Sequence, residues 1–384
     1  MERDVAVVLS GGGINGVLME LGFLKRLRES EFWPRIGWMI GTSAGALAGT
    51  LAALDKLDEL EEFLLELEAD DTFRPNRLWQ LPLLGLHEYA LPDTIAAKFG
   101  DLVAVAEQLQ RADVELIVVA TDATPVVDEL DVRDYELVYS SRDTEPAVLA
   151  QAVLASAAIS ALVLPLVVGD RIATDGAWVR NFPLAHAYAQ PGVGQIVAFR
   201  YVPRYPRIGT EGVARLRRRL RRFGRVPPIR AFIEELRLAE ERDERGLPAH
   251  LPEMIMRLTR AAIVRNTVVE ERFAEEREQS IEELAALRED VLSLVRKHVR
   301  ASRRTRLERA IGDRFALAQL PFGHERPIPR ITVRASVADV SLEPGFRDQK
   351  AWTADAKRAL IARGYELADA ELGAASDTAI AAAS

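Results

Sequence analysis

Two glycine clusters, each lodged between a short apolar run and a longer apolar-periodic segment, constrain this chain more than any other feature. The first, Gly11-Gly12-Gly13-Ile14-Asn15-Gly16, follows the run Val5–Leu9. The second, Gly41-Thr42-Ser43-Ala44-Gly45, follows Ile36–Ile40. A run of five apolar residues closed by glycines reads as a buried strand. The periodic stretch Val17–Arg28 and the Ala-rich stretch Ala44–Leu54 read as helices. Further strand candidates are Glu115–Ala120, Leu137–Tyr139 and Ile196–Tyr201, each β-rich and bounded by turn residues. Strands alternating with helices predict an α/β fold with a mostly parallel central sheet flanked by helices in three layers. Sites in such sheets lie at the carboxyl ends of strands, where both glycine clusters fall.

The first cluster is compatible with several uses. Strand, G-x-G-x-x-G and helix is a dinucleotide fingerprint, but it requires an acid about 20 residues on, at the end of the next strand. That strand ends in Gly41-Thr42-Ser43, without an acid, which disfavours a nucleotide. The same loop can aim successive amides at a carboxylate, a phosphate or a transient oxyanion. With nothing else nearby it would be only a tight strand-to-helix turn.

The second cluster is G-x-S-x-G between strand and helix, the setting of a nucleophile elbow. Residues two before and two after the serine crowd each other in so sharp a turn, so Gly41 and Gly45 are required there. The turn sets Ser43 at a helix N-terminus, where partial positive charge favours an alkoxide. Its base must come from elsewhere. None of the five histidines (His87, His186, His250, His298 and His324) stands in a distinctive triad context, and His186 is the one rival near an acid. Ile172-Ala173-Thr174-Asp175-Gly176 reads as a strand ending in an acid, followed by a glycine that permits close backbone approach. An ordinary Asp-Gly turn explains the same residues.

Taken in order, these pieces resemble the patatin-like phospholipase family. Its pattern is a glycine-rich loop after the first strand, then G-x-S-x-G, then D-G-G or D-G-A, then N-x-P. Here these are Gly11–Gly16, Gly41–Gly45, Asp175-Gly176-Ala177 and Asn181-Phe182-Pro183, and the small-residue stretch Ala155–Ser160 before the acid is similar too. The match covers about residues 5–190, and Gly364-Tyr365 is weakly similar to the family's last helix. The resemblance implies a lipid acyl hydrolase with a Ser–Asp dyad: Ser43 as nucleophile and Asp175 as base. It implies an oxyanion hole at the amides of Gly12 and Gly13, in a loop completed by Gly11, Asn15 and Gly16. Gly176 and Asn181 would support the acid's turn. One departure stands out: the family loop usually carries Arg or Lys where this chain has Asn15, which keeps a donor but loses the charge that Arg180 or an arginine of the insertion could replace. A competing reading is a patatin-fold protein that binds or regulates without efficient catalysis.

Composition bounds the rest. The chain has 384 residues, 48 % of them hydrophobic, no cysteine, and a net charge of -8. Disulfides and thiolate chemistry are excluded, and the acidic balance argues against a nucleic-acid partner. No metal motif or cofactor fingerprint survives, so neither is expected. The N-terminal apolar run is too short for a signal segment, and Ala152–Gly169 is interrupted by Ser156, Ser160 and Pro165. The expectation is a cytoplasmic protein, with peripheral attachment to membranes open. Residues 1–203 read as the core, 204–320 as a helical insertion or cap, and 321–384 as a segment returning to the core. That segment has a strand at Ile331–Ala335 and a helix, Trp352–Ala362, ending at Gly364 before a frayed tail.

The insertion opens with ten arginines between Arg204 and Arg230 against one acid, Glu211. Val213, Leu216, Leu220 and Phe223 recur on one helical face among them. Such a helix suits an anionic membrane surface. It suits equally a cap whose arginines pair with the glutamates of 234–244 and 270–283. The apolar loop Leu81–Leu91 would line an acyl pocket or simply pack.

Overall fold

The computed structural model describes residues 3–77, 87–126, 133–159, 162–202, 211–245, 251–319, 327–335 and 352–383. Strand β1 (Val5–Leu9) is buried along its whole length, as a strand covered on both faces must be. It leads into helix α1 (Gly13–Arg28), then β2 (Ile36–Thr42) and α2 (Ala44–Ala53). Helices α3 (Leu57–Glu66) and α4 (Ala69–Thr72) lead to a small antiparallel ribbon of β3 (Phe73–Pro75) and β4 (His87–Tyr89). Helices α5 (Leu91–Phe99) and α6 (Leu102–Arg111) precede β5 (Glu115–Asp122) and β6 (Glu136–Ser140). Next come α7 (Pro146–Ser156), β7 (Leu166–Val168) and β8 (Arg171–Asp175), followed by the short helices α8 (Ala177–Arg180) and α9 (Leu184–Tyr188) and by β9 (Gln195–Tyr201).

The eight-stranded sheet has the order β10-β9-β1-β2-β5-β8-β7, with β10 formed by Arg330–Ala335 and β6 paired to β5. From β10 to β5 every pairing is parallel; β6, β8 and β7 add an antiparallel flank. Each candidate strand of the sequence forms, with ends shifted by one or two residues. The mostly parallel, helix-flanked architecture is the expected one.

Register already points to a site. Leu9 pairs with Gly41, so both glycine clusters leave the sheet side by side. Thr42 pairs with Val119 on β5, and the next β5 residue, Ala120, pairs with Asp175 on β8. One step beyond Thr42, Ser43 therefore reaches the level of Asp175. Because β8 runs antiparallel, it starts beyond the carboxyl end of β5, and it is short enough that its last residue is still level with Ala120 near that end.

The larger hydrophobic cluster joins β1, β2, β5 and β9 to α1, α2, α3, α6 and the C-terminal helix α14 (Ala354–Ala383). A smaller cluster on the sheet's other face joins Phe182, Leu184 and Tyr188 to Ala274, which lies on a 48-residue helix, Leu251–His298. That helix is α12, after α10 (Glu211–Leu220) and α11 (Pro227–Glu244) and before α13 (Ala301–Gln319). Among the described residues no helix is long and apolar enough to cross a membrane.

One boundary differs from expectation. The C-terminal helix passes through Gly364 and continues to Ala383 instead of stopping and fraying. Gly364 lies where α14 crosses α1, and a Cβ there would stand 2.0 Å from the Met19 carbonyl oxygen. The glycine serves close helix packing and not termination. Residues 81–86 of the apolar loop fall outside the described residues.

Candidate active site

Ser43 occupies the turn between β2 and α2 with φ 54° and ψ -120°. A non-glycine residue held there carries about 1–3 kcal/mol of strain, which its surroundings must offset. Two features hold it. A Cβ on Gly41 would stand 2.3 Å from the Gly45 carbonyl oxygen, so the turn closes only with glycine there. The Ser43 amide donates to Ser156 Oγ at 2.8 Å, and that hydroxyl donates to the Val119 carbonyl at 2.6 Å. Ser156, fully buried on α7, thus ties the elbow to β5. Its only sequence signal was membership of the small-residue stretch.

The strain presents the hydroxyl to the acid. Ser43 Oγ donates to Asp175 Oδ2 at 2.8 Å, while the Ala177 amide donates to Asp175 Oδ1 at 2.8 Å. Thr121 Oγ1 donates to the Asp175 carbonyl at 2.7 Å, fixing the backbone of the acid. Gly176 abuts β5, where a Cβ would lie 2.3 Å from the Val119 oxygen. Burial pushes the Asp175 carboxyl up to about 6, against the opposing pull of the Ala177 and Ser43 hydrogen bonds.

The glycine loop divides by function. The Gly11 amide donates to the Asn181 carbonyl at 3.0 Å, and the Gly16 amide to the Gly12 carbonyl at 3.0 Å. Neither is then available to a substrate, which narrows the expected oxyanion set. Gly12 caps α1 and Gly13 begins it. Amides at those positions have no carbonyl one turn back to bond. Asn15 is buried on the first turn of α1.

The side chains expected to supply charge or a rival base are engaged elsewhere. Arg180 pairs with Glu136 at 2.6 Å and with Glu270, so it does not stand in for the missing basic residue of the loop. His186 Nε2 lies 2.8 Å from Glu136 Oε1. Although burial opposes it, bonding to His186 and Arg180 holds the Glu136 carboxyl down at about 2. His87 packs edge-on to Phe73, and His298 is exposed at the end of α12. His250 and His324 fall outside the described residues. Among the described residues no group of acids and histidines has the makings of a metal site.

Ser43 and Gly13 line a cavity of about 170 Å³. Its other walls are almost wholly aliphatic and aromatic, among them Val17, Leu47, Leu60, Phe63, Phe99, Leu109 and Val153. A hydroxyl on a strained turn, bonded to a buried carboxylate and facing an apolar chamber, is equipped to attack an ester whose acyl part is hydrocarbon.

Residues 7–188 match the family model described as Patatin-like phospholipase. No curated protein matches the chain. Among solved structures, VipD from Legionella pneumophila is similar at 12 % identity and a TM-score of 0.37. That match covers 97 % of this chain and 67 % of VipD.

The raised Asp175 carboxyl has a consequence for stability. An unfolded aspartate loses its proton near 4, whereas the folded one keeps it to about 6. Within that window the folded state binds more protons, so stability falls as pH rises through it and the full cost is present above about 6. Asp175→Asn is therefore expected to melt higher than wild type at pH 8 and nearly level with it at pH 4, followed by circular dichroism. An unchanged difference between the two pH values would remove the buried, high-pKa carboxylate.

Proposed function

From the match of residues 7–188 to the patatin-like phospholipase family, we propose that this chain is a lipid acyl hydrolase of the esterase or phospholipase A type. The observation that carries the reading is the 2.8 Å hydrogen bond from Ser43 Oγ to Asp175 Oδ2 beside an apolar cavity. Asp175 takes the Ser43 proton as Oγ attacks the acyl carbonyl. A base near 6 is half-ionised just below neutrality and stronger than an ordinary aspartate, which suits it to this transfer. The carbonyl oxygen gathers negative charge toward the amides of Gly12 and Gly13 at the start of α1, where the helix dipole adds to their pull. The proton on Asp175 then passes to the departing alcohol. Water, deprotonated by the same carboxylate, then attacks the Ser43 ester; the free acid leaves and Asp175 returns the proton to Ser43 Oγ.

Hydrocarbon walls favour acyl substrates, since each buried methylene contributes about 0.8 kcal/mol. The reading also gives the basic stretch a role at a lipid surface. Arg217 pairs with Glu240 at 2.7 Å. Among the described residues Arg218, Arg219, Arg221, Arg222 and Arg225 enter no ion pair, and Leu216 and Phe223 beside them are 42 % and 47 % exposed. Exposed arginines interleaved with exposed apolar side chains suit an anionic bilayer better than the inside of a cap.

Ser43→Ala should abolish hydrolysis of a short p-nitrophenyl ester with the fold intact. In the wild type, kcat/KM should rise about tenfold per pH unit until it levels near 6, the value at which Asp175 ionises. Turnover in Ser43→Ala at the wild-type rate would sink the mechanism. Replacing Arg218, Arg219, Arg221 and Arg222 with Gln should weaken co-sedimentation with phosphatidylserine vesicles at low salt, each basic residue contributing roughly 1 kcal/mol. Unchanged sedimentation would return the helix to the role of a cap.

A further inference from the structure

The long helix α12 reaches the catalytic centre through its buried face. Ile263, Thr267, Glu271 and Ala274 are buried on it at helical spacing. Asn266 Nδ2 donates to the Trp178 carbonyl at 2.6 Å. Thr267 is fully buried; its hydroxyl donates to Ile263 O at 2.9 Å and accepts from Asn181 Nδ2 at 3.0 Å. Glu270 pairs with Arg180. The bonds to Trp178, Arg180 and Asn181 fall on the few residues that follow the catalytic acid and its glycine.

The same residues hold the rest of the site. The Arg180 carbonyl accepts from Thr42 Oγ1 at 2.9 Å, next to the nucleophile. The Asn181 carbonyl accepts from the Gly11 amide at 3.0 Å, at the root of the oxyanion loop. Asp175 itself is bonded to the Ala177 amide at the turn's start. Nucleophile, base and oxyanion loop therefore converge on one short segment, whose helical part, α8, is a single turn of four residues. So short a helix does not hold its shape by its own backbone bonds. Its placement comes from what it is bonded to, and on the outer side Asn266, Thr267 and Glu270 of α12 hold it together with Glu136 of β6.

We propose that Thr267, assisted by Asn266, is a positioning residue for this hydrolysis, and that α12 belongs to the catalytic apparatus and is not a detachable cover. The inference rests on the Ser43–Asp175 reading. Thr267 fixes Asn181, whose carbonyl holds the Gly11 amide at the root of the loop that receives the oxyanion and which ends the short segment leaving the acid's turn. Loosening it displaces groups whose geometry must hold to within about 1 Å, and a misplacement of that size lowers rate by as much as roughly a hundredfold. Substrate binding in the apolar cavity is untouched, because neither residue lines it.

The test is steady-state hydrolysis of a soluble short p-nitrophenyl ester by the full-length protein, with melting temperature measured in parallel. Thr267→Val should lower kcat by roughly ten- to a hundredfold with KM unchanged, and Thr267→Ser, which keeps the hydroxyl, should restore it. Glu278→Gln is the comparison: Glu278 accepts from the Ile328 amide at 2.9 Å, an α12 contact away from the turn. It should retain wild-type kcat. Wild-type kcat in Thr267→Val, or an equal loss in Glu278→Gln, overturns the proposal. Should Thr267→Val not fold, Asn266→Ala is judged by the same two outcomes. An active Ser43→Ala protein would instead remove the reading beneath it, so the two failures are told apart.

Discussion

The hydrogen bond between Ser43 and Asp175 joins residues 132 positions apart, and most of the core architecture can be read as what is needed to make it. The serine must leave β2 on a turn that only glycine neighbours permit, and its amide must find Ser156. The aspartate must arrive on a strand two places across the sheet, running the opposite way, so that its last residue lies level with the turn. A one-residue slip in either pairing would send the side chain to the wrong face. The bond also asks that a carboxylate be buried, and the resulting rise in its pKa would suit it to the base role proposed above.

Charge is kept from the dyad by being satisfied beside it. Arg180 lies five residues beyond Asp175, close enough in sequence to suggest that it serves the oxyanion. Its guanidinium is instead divided between Glu136 and Glu270, with His186 completing the group. A cation bonded directly to Asp175 would lower its pKa and weaken it as a base. The pairing of Arg180 with two acids also ties β6 to α12, so one cluster both neutralises an arginine and holds the segment that follows the acid's turn.

Much of this was legible in the residues. Glycines two before and two after a serine, between an apolar run and an Ala-rich helix, allow few other folds; Gly41 does crowd against Gly45, but Gly45 itself is pressed against the Leu9 carbonyl of β1 and not against Gly41. The acid was ambiguous, because Asp-Gly makes turns everywhere; only its strand pairing singles it out. The antiparallel course of β8 was hidden, since a strand's direction depends on its partner and not on its own side chains. Gly364 misled for the same reason: a glycine that ends a helix and one that lets two helices touch look alike until the second helix is in place. Asn266 and Thr267 were the least visible. They lie on a helix that is polar along most of its length, and its buried face is itself partly polar, with Thr259, Thr267 and Glu271 beside Ile263 and Ala274, so apolar periodicity does not mark it.

The claim on which the rest turns is that Asp175 takes the Ser43 proton. It is tested most directly by the burst of p-nitrophenol release in Asp175→Asn, measured by stopped flow at pH 8 beside the wild type. If Asp175 is the base, the rate of acyl-enzyme formation falls by about 10²–10⁴-fold in a protein that still melts cooperatively. A folded Asp175→Asn protein with a wild-type burst rate would leave Ser43 activated by some other group and contradict the dyad.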